Sequence, residues 1–462
     1  MIEEDDMNVT DMLIDRLNDF AEKEYKLDCG IKGCLVDYTG VLLAGARQLE
    51  KRHKAYLNQV GMFSGAATVM GVGVHADAYS SALLNAMSAH VLELDDGHRF
   101  GMLHPGTPVF SALLAIVQRE KLDCETFLMA AAIGYEAMIR LACMVQPEHK
   151  KRGFHASATC GTIGAAVAVA KARNYGIRQL KDTISASATC ASGLLSMIDD
   201  DSELKPFNCA QAAANGLMAA NMGRYCIGPE DALGGQRGFI KTLNGEIDFG
   251  KVMDALAMEN CVGTTYKKLY ASCRHTHSAV EAALKLRNRY IAVAEGSVAA
   301  HVKRIKSVCV ETYELAVYGH NSTNAQSISA AKMSTPYSVA VALVTGKSSL
   351  DAFSEELLRN EVVISVERRV KVLEDHRLTK LSPTVRAAVV KLEMDNGVVY
   401  EEHVDYPKGE PENPFTQEET DGKLDMLLHT AGKSDKFIRR MRETLADMSA
   451  CWDLYIELLS QG

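Results

Sequence analysis

The sequence predicts a mainly α fold, with a large all-helical domain and a smaller α+β domain. Three observations lead there. From the start to about residue 260, Ala, Ser, Met and Leu recur at helical spacing with Gly as punctuation. After about residue 300, Val, Ile and Tyr alternate along Val302 to Tyr313, Val362 to Val372 and Ala387 to Val404. From about Thr416 the helical period returns, which sends the last helices back to the first domain.

Each element has its own signal. Gly71-Val-Gly73-Val-His-Ala76 imitates a dinucleotide fingerprint, but it reads as lying in a helical segment without a parallel sheet, so NAD or FAD is not expected. Leu83, Leu84, Met87, Val91 and Leu94 mark one helix, which Asp95-Asp96-Gly97 ends. The side chains of Gly161 to Ala170 are too small to fill wide gaps, so that helix must approach its neighbours closely. Asp395-Asn396-Gly397 is a hairpin turn, and the stretch Pro407 to Pro414, with three prolines, closes the mixed segment.

Composition bounds the function. The 462 residues are 47% hydrophobic and 24% charged, as in a globular protein, and two domains are expected. A net charge of -9 without a Lys/Arg-rich run argues against a nucleic-acid partner. The N-terminus Met1-Ile2-Glu3-Glu4-Asp5-Asp6 lacks the layout of a signal peptide, and every apolar stretch reads as interrupted short of the ~18 residues that span a bilayer, so no membrane and a cytoplasmic location are expected. Twelve cysteines are scattered without a CxxC pair, and Cys29 and Cys34 flank a turn-like Gly-Ile-Lys-Gly, so buried thiols and no metal site are expected.

Four segments can carry chemistry. His90 to Val109 packs three histidines and three carboxylates around one helix end. Thr107-Pro108 reads as the cap of the helix Val109 to Val117, which sets His104 beside free amides suited to a carboxylate, although a solvated loop would show the same residues. His155 precedes a small-residue helix whose start offers amides and hydroxyls, or simply packs there. Lys205 follows the acidic run Asp199-Asp200-Asp201 and is either a carboxylate ligand or a solvated cation. Tyr266 to His277 lies where the helical pattern gives way, and such junctions favour ligand sites.

Together these segments resemble the MmgE/PrpD family, which includes 2-methylcitrate dehydratases, cis-aconitate decarboxylases and iminodisuccinate epimerases. The resemblance rests on Ala67-Thr-Val-Met-Gly71, Asn85 to His90 leading into Leu94-Asp95-Asp96, His104-Pro105-Gly106, and Gly153-Phe154-His155 followed by Gly161-Thr162. Later blocks are Lys205-Pro206, Lys268 with Cys273 and His277, Ala331 to Tyr337 and Pro407 to Pro414. It implies the MmgE/PrpD fold: residues 1–264 with 406–462 as the all-helical domain, residues 265–405 as an α+β lid, and a homodimer. It further implies a site between the domains, with His104, His155, Lys205, Lys268 and Tyr318 catalytic and Glu93, His98, Cys273 and His277 binding substrate, without metal or cofactor. The family's 2-methylcitrate dehydratases carry His-Pro-Ser-Asp-Asn where this chain has His104-Pro-Gly-Thr-Pro108. Its decarboxylases carry Asp for Glu93, a small hydroxyl residue near His98 and His for Cys273.

The implied chemistry forms or protonates a carbanion beside a carboxylate of a small polycarboxylate. Lysines and helix N-termini would hold the anion while His104 moves the proton, and His155 or Tyr318 would supply a second one. A cofactor-independent hydro-lyase of a di- or tricarboxylate is the expected activity. An epimerase, isomerase or decarboxylase using the same site is the alternative, and a non-catalytic polycarboxylate-binding protein is the alternative of another class.

Overall fold

The computed structural model describes residues 7–26, 30–61, 64–198, 202–291 and 298–462. The chain divides into two compact units, residues 1–197, 204–267 and 416–462 in the first and residues 198–203 and 268–415 in the second. The fold is mainly α, with a small mixed sheet in the second unit.

Close helix contact organises the first unit, and small residues permit it. The helix Ala156–Ala172 is buried without a break from Ala156 to Ala170. It packs on Cys124–Val145 and Lys205–Met222. A Cβ at Gly134 would stand 2.8 Å from the Ala168 Cβ, and one at Gly216 would stand 2.8 Å from the Thr162 carbonyl oxygen. Helices this near gain dispersion contacts that longer side chains would prevent. The C-terminal helix Gln417–Thr430, opened by a capping box of Thr416 and Glu419, packs on the long helix Ile31–Val60. There the buried Lys423 ammonium reaches the Asp37 carboxylate at 2.6 Å and the Leu94 carbonyl at 2.8 Å.

Several expectations change here. Gly71 to Ala76 is not within a helical segment: β1 (Ala67–Val69) and β2 (Val74–Ala76) form an antiparallel hairpin, and Gly71 and Gly73 take φ near +70° in its turn. The helix predicted through Leu94 is Ala78–His90, so Leu94 lies beyond it. Gly30-Ile-Lys-Gly33 is no turn throughout, because the long helix begins at Ile31. Cys29 and Asp199 to Asp201 lie outside the described residues, and the described cysteines are all free thiols. One apolar stretch is longer than expected. Cys124–Val145, with 22 residues, is long and apolar enough to cross a membrane by length and composition, yet 89% of its most apolar window is buried in the fold.

The second unit holds a four-stranded sheet in the order β4 (Val370–Glu374), β3 (Ile305–Thr312), β5 (Ala388–Met394), β6 (Val399–Val404). β3 runs parallel to β4 and antiparallel to β5, and β5 turns into β6 through Asp395-Asn396-Gly397 with Gly397 at φ +82°. Alternate residues of β5 are buried, and the helix His277–Leu286 packs on β5 and β6. The predicted strand from Val362 is only half right. Glu361–Glu367 is a helix, capped by the Asn360 side chain on two amides, and the strand starts at Val370. A β-branched run cannot by itself distinguish a buried strand from a buried helix.

Candidate active site

The first unit gathers a buried acid–base cluster around the loop between the helices Ala78–His90 and Gly106–Glu120. The loop is pinned at both edges: Gly97 bridges Tyr266, and His98 bridges Leu103. Glu93 takes φ +56°, a left-handed conformation that costs a non-glycine residue energy. That strained turn sends its carboxylate to Lys205, whose ammonium donates to both Glu93 oxygens at 2.6 Å. Lys205 opens the helix Lys205–Met222, with Pro206 in its first turn.

His104 is oriented by the backbone. Its Nδ1 lies 2.6 Å from the Asp96 carbonyl oxygen, which can only accept, so Nδ1 carries the hydrogen and the neutral ring leaves Nε2 as the basic atom. Asp96 is itself clamped. Tyr135 donates to its Oδ2 at 2.7 Å and the Gly106 amide to its Oδ1 at 3.1 Å. Burial, with the Asp37 carboxylate nearby, pushes the Asp96 carboxyl up to about 7.

This corrects the expected cap. The helix starts at Gly106, so Thr107 is not its N-cap; the Thr107 hydroxyl donates instead to Asp95 Oδ2 at 2.9 Å. The Gly106 amide, expected to await a ligand's carboxylate, is held by Asp96. One amide of the helix N-terminus is thus taken by the protein's own acid.

Sequence reasoning named no role for His90 or Asp95. His90 Nδ1 donates to Asp95 Oδ2 at 2.7 Å, and its Nε2 faces Glu93 Oε1 at 3.8 Å. Burial alone would strip the ring of its proton, but the Asp95 carboxylate and the Cys209 sulfur beside it together outweigh burial and hold the imidazole at about 10. A buried imidazolium thus stands between two carboxylates, with the His104 ring 4.9 Å away edge-on. The spacing of His90 and Asp95 across a helix end was the available signal. His90, Asp95 and His104 have ligand atoms within 4.8 Å of one another, the compactness of a metal site. With His104 Nδ1 given to a carbonyl and His90 Nδ1 to Asp95, the observed arrangement is a hydrogen-bonded chain.

His155 caps the helix Ala156–Ala172 by its backbone, and its buried Nδ1 has no hydrogen-bond partner among the described residues. Burial first, then Lys205, His90 and His104, hold it well below the usual imidazole range, so it stays neutral. His98 is fully buried and serves the loop: Nδ1 accepts from the Gly101 amide and Nε2 donates to Thr264. The structure therefore brings Glu93, His104, His155 and Lys205 together and joins His90 and Asp95 to them.

The other expected residues belong to the second unit. Lys268 is fully buried. His277 accepts from Arg274 at Nδ1 and donates from Nε2 to the Ser272 carbonyl, so both nitrogens are engaged, and Arg274 in turn pairs with Glu410 at 2.7 Å. Cys273 lies at the start of the same helical segment, with Sγ 3.7 Å from His320 Nε2. Tyr318 is 83% exposed at the end of the short helix Glu314–Val317.

A mainly α, two-unit chain with a buried carboxylate–imidazole–lysine cluster is a definite class. The sequence profile of the MmgE/PrpD N-terminal domain matches residues 25–251 and that of the MmgE/PrpD C-terminal domain matches residues 270–449. The chain belongs to the MmgE/PrpD family. It is 25% identical over 411 residues to a cis-aconitate decarboxylase-like protein of Aspergillus oryzae, covering 83% of this chain and 84% of that one. It is 27% identical over 368 residues to a cis-aconitate decarboxylase of Aspergillus terreus, covering 75% of this chain and 74% of that one.

Proposed function

We propose that this protein is a lyase acting on a small tricarboxylate, with loss of a carboxyl group as the favoured reaction. The relatives' names support the carboxy-lyase subtype, and the orientation of His104 is the observation that carries the chemistry. Losing carbon dioxide leaves a carbanion conjugated with a neighbouring carboxylate, and turnover needs a proton delivered to that carbon. An imidazole fixed at one nitrogen by a carbonyl oxygen suits the task, because its other nitrogen can both take and give a proton. Its Nε2 delivers the proton, while Lys205 stabilises charge on the adjacent carboxylate. His155, kept neutral, is the hydrogen-bonding ring of the site rather than a second cation.

Elimination of water is the second reading, favoured by Glu93. Its carboxyl group, one methylene longer than the Asp of the family's decarboxylases, is a potential acid for a departing hydroxyl. The test is proton NMR of cis-aconitate and 2-methylcitrate incubated with the protein in D₂O, with evolved carbon dioxide measured. Carbon dioxide with deuterium in the product supports the first reading. A downfield allylic methyl singlet replacing the 2-methylcitrate methyl doublet, without carbon dioxide, supports the second. Deuterium exchange with neither replaces both by an epimerase, and silence on both substrates rejects them.

A further inference from the structure

We propose that Cys273 is a base-activated thiol, with His320 as its base, and that it is a site of covalent modification by soft carbon electrophiles. The proposal does not rest on the lyase reading. Cys273 Sγ and His320 Nε2 lie 3.7 Å apart, within reach of a sulfur hydrogen bond. His320 Nδ1 lies 2.8 Å from the Met333 carbonyl oxygen. That oxygen only accepts, so Nδ1 bears the hydrogen, and the neutral ring turns its lone pair at Nε2 toward the thiol. Nucleophile, base and a third group fixing the base's tautomer are the three parts that make a weak nucleophile reactive.

The pair is held in place. His320 is buried, and its ring lies against His275 at 5.1 Å, while His275 Nδ1 is 2.8 Å from the Tyr313 hydroxyl. The Cys273 amide donates to the Lys332 carbonyl at 2.8 Å, and its carbonyl accepts from the Thr276 amide at 2.9 Å. Cys273 thereby stands at the N-terminus of the turn Arg274–Thr276 that runs on into His277–Leu286. Arg274, Arg386 and Glu410 act on Tyr313 together with Cys273, and Arg274 is paired with Glu410 at 2.7 Å. Cys273 is partly exposed, so a small reagent has access.

Iodoacetamide is the probe. The thiol proton passes to His320 Nε2, the S–C bond forms, the C–I bond breaks and iodide leaves with its electron pair. The full chain is labelled between pH 5.5 and 9, quenched, and mapped by peptide mass spectrometry, with the exposed Cys226 as internal reference. At pH 6.5 Cys273 is expected to react at least about tenfold faster than Cys226. His320→Gln should bring Cys273 to the Cys226 rate or below and leave Cys226 unchanged, with circular dichroism reporting that the fold persists. Should that variant not fold, the wild-type pH profile decides alone. A Cys273 rate no faster than that of Cys226, or one that His320→Gln leaves unchanged, overturns the proposal.

Discussion

The hydrogen bond from His104 Nδ1 to the Asp96 carbonyl, 2.6 Å long, determines which nitrogen of that ring carries the hydrogen. The main chain of one residue thus sets the tautomer of another eight positions away. His104→Gln should lower turnover by about 10²- to 10⁴-fold, the range for a proton-transfer group, while calorimetry still detects substrate binding. A variant turning over at the wild-type rate would remove His104 from the mechanism.

Gly106 makes room for that arrangement. A Cβ there would fall 2.7 Å from the Tyr135 hydroxyl and 2.9 Å from Asp96 Oδ1. Gly106→Ala should cost about 1–3 kcal/mol in urea unfolding, the usual range for overpacking, and should lower kcat by displacing Asp96 and with it His104. Adding Tyr135→Phe removes the nearest clash, so the double variant should recover part of the stability. Additive losses would contradict this account.

His90 gives a pH signature. Its native value of about 10 lies above the ordinary 6.5, so the stability it brings is complete below pH 6.5 and fades as pH rises toward 10. The stability difference between wild type and His90→Gln should shrink across that window, at up to about 1.4 kcal/mol per pH unit. A difference independent of pH in denaturant titrations would show that the ring is not held charged.

Asp96 titrates lower on the scale. Its native value of about 7 exceeds the ordinary 3.8, so the native state holds a proton that the unfolded chain has released, and stability from this group falls as pH rises from about 4 to 7. Asp96→Asn should flatten the wild-type decline over that interval by up to about 1.4 kcal/mol per pH unit. An unchanged slope would refute the assignment.

Glu93 and Lys205 should behave as a pair. Lys205→Met leaves a buried carboxylate without its cation, a loss of about 3–5 kcal/mol for a buried pair. Lys205→Met with Glu93→Gln should regain most of that stability but not affinity for a tricarboxylate, since the cation is still missing. Recovery of both, seen by melting and by calorimetry, would show that Lys205 has only a structural role.

Much of the architecture was legible before any coordinates. The helical period up to residue 260, the alternation of Ala388–Met394 and Val399–Val404 and the turn at Gly397 are local signals, and the elements appear where they fall. Misses occurred where local signals are degenerate. Glu361–Glu367 carries strand-forming residues but is a helix that packs on Thr335–Thr345, and Thr107 looks like a cap but spends its hydroxyl on Asp95.

By itself, then, the sequence determined the mainly α class, the helix–sheet–helix order along the chain and the concentration of histidines and acids between His90 and His104. All of these are written in residue type and short spacing, which act through backbone propensity and the periodic burial of apolar side chains. Tertiary structure alone decided what those groups do. His90 as a buried imidazolium, His104 with its hydrogen on Nδ1 and Glu93 on Lys205 depend on partners brought together by folding: Tyr135 reaches Asp96 across 39 positions and Lys205 reaches Glu93 across 112. Protonation and tautomer are set by the field and hydrogen bonds of the folded chain, and no pattern of neighbours along the sequence encodes them.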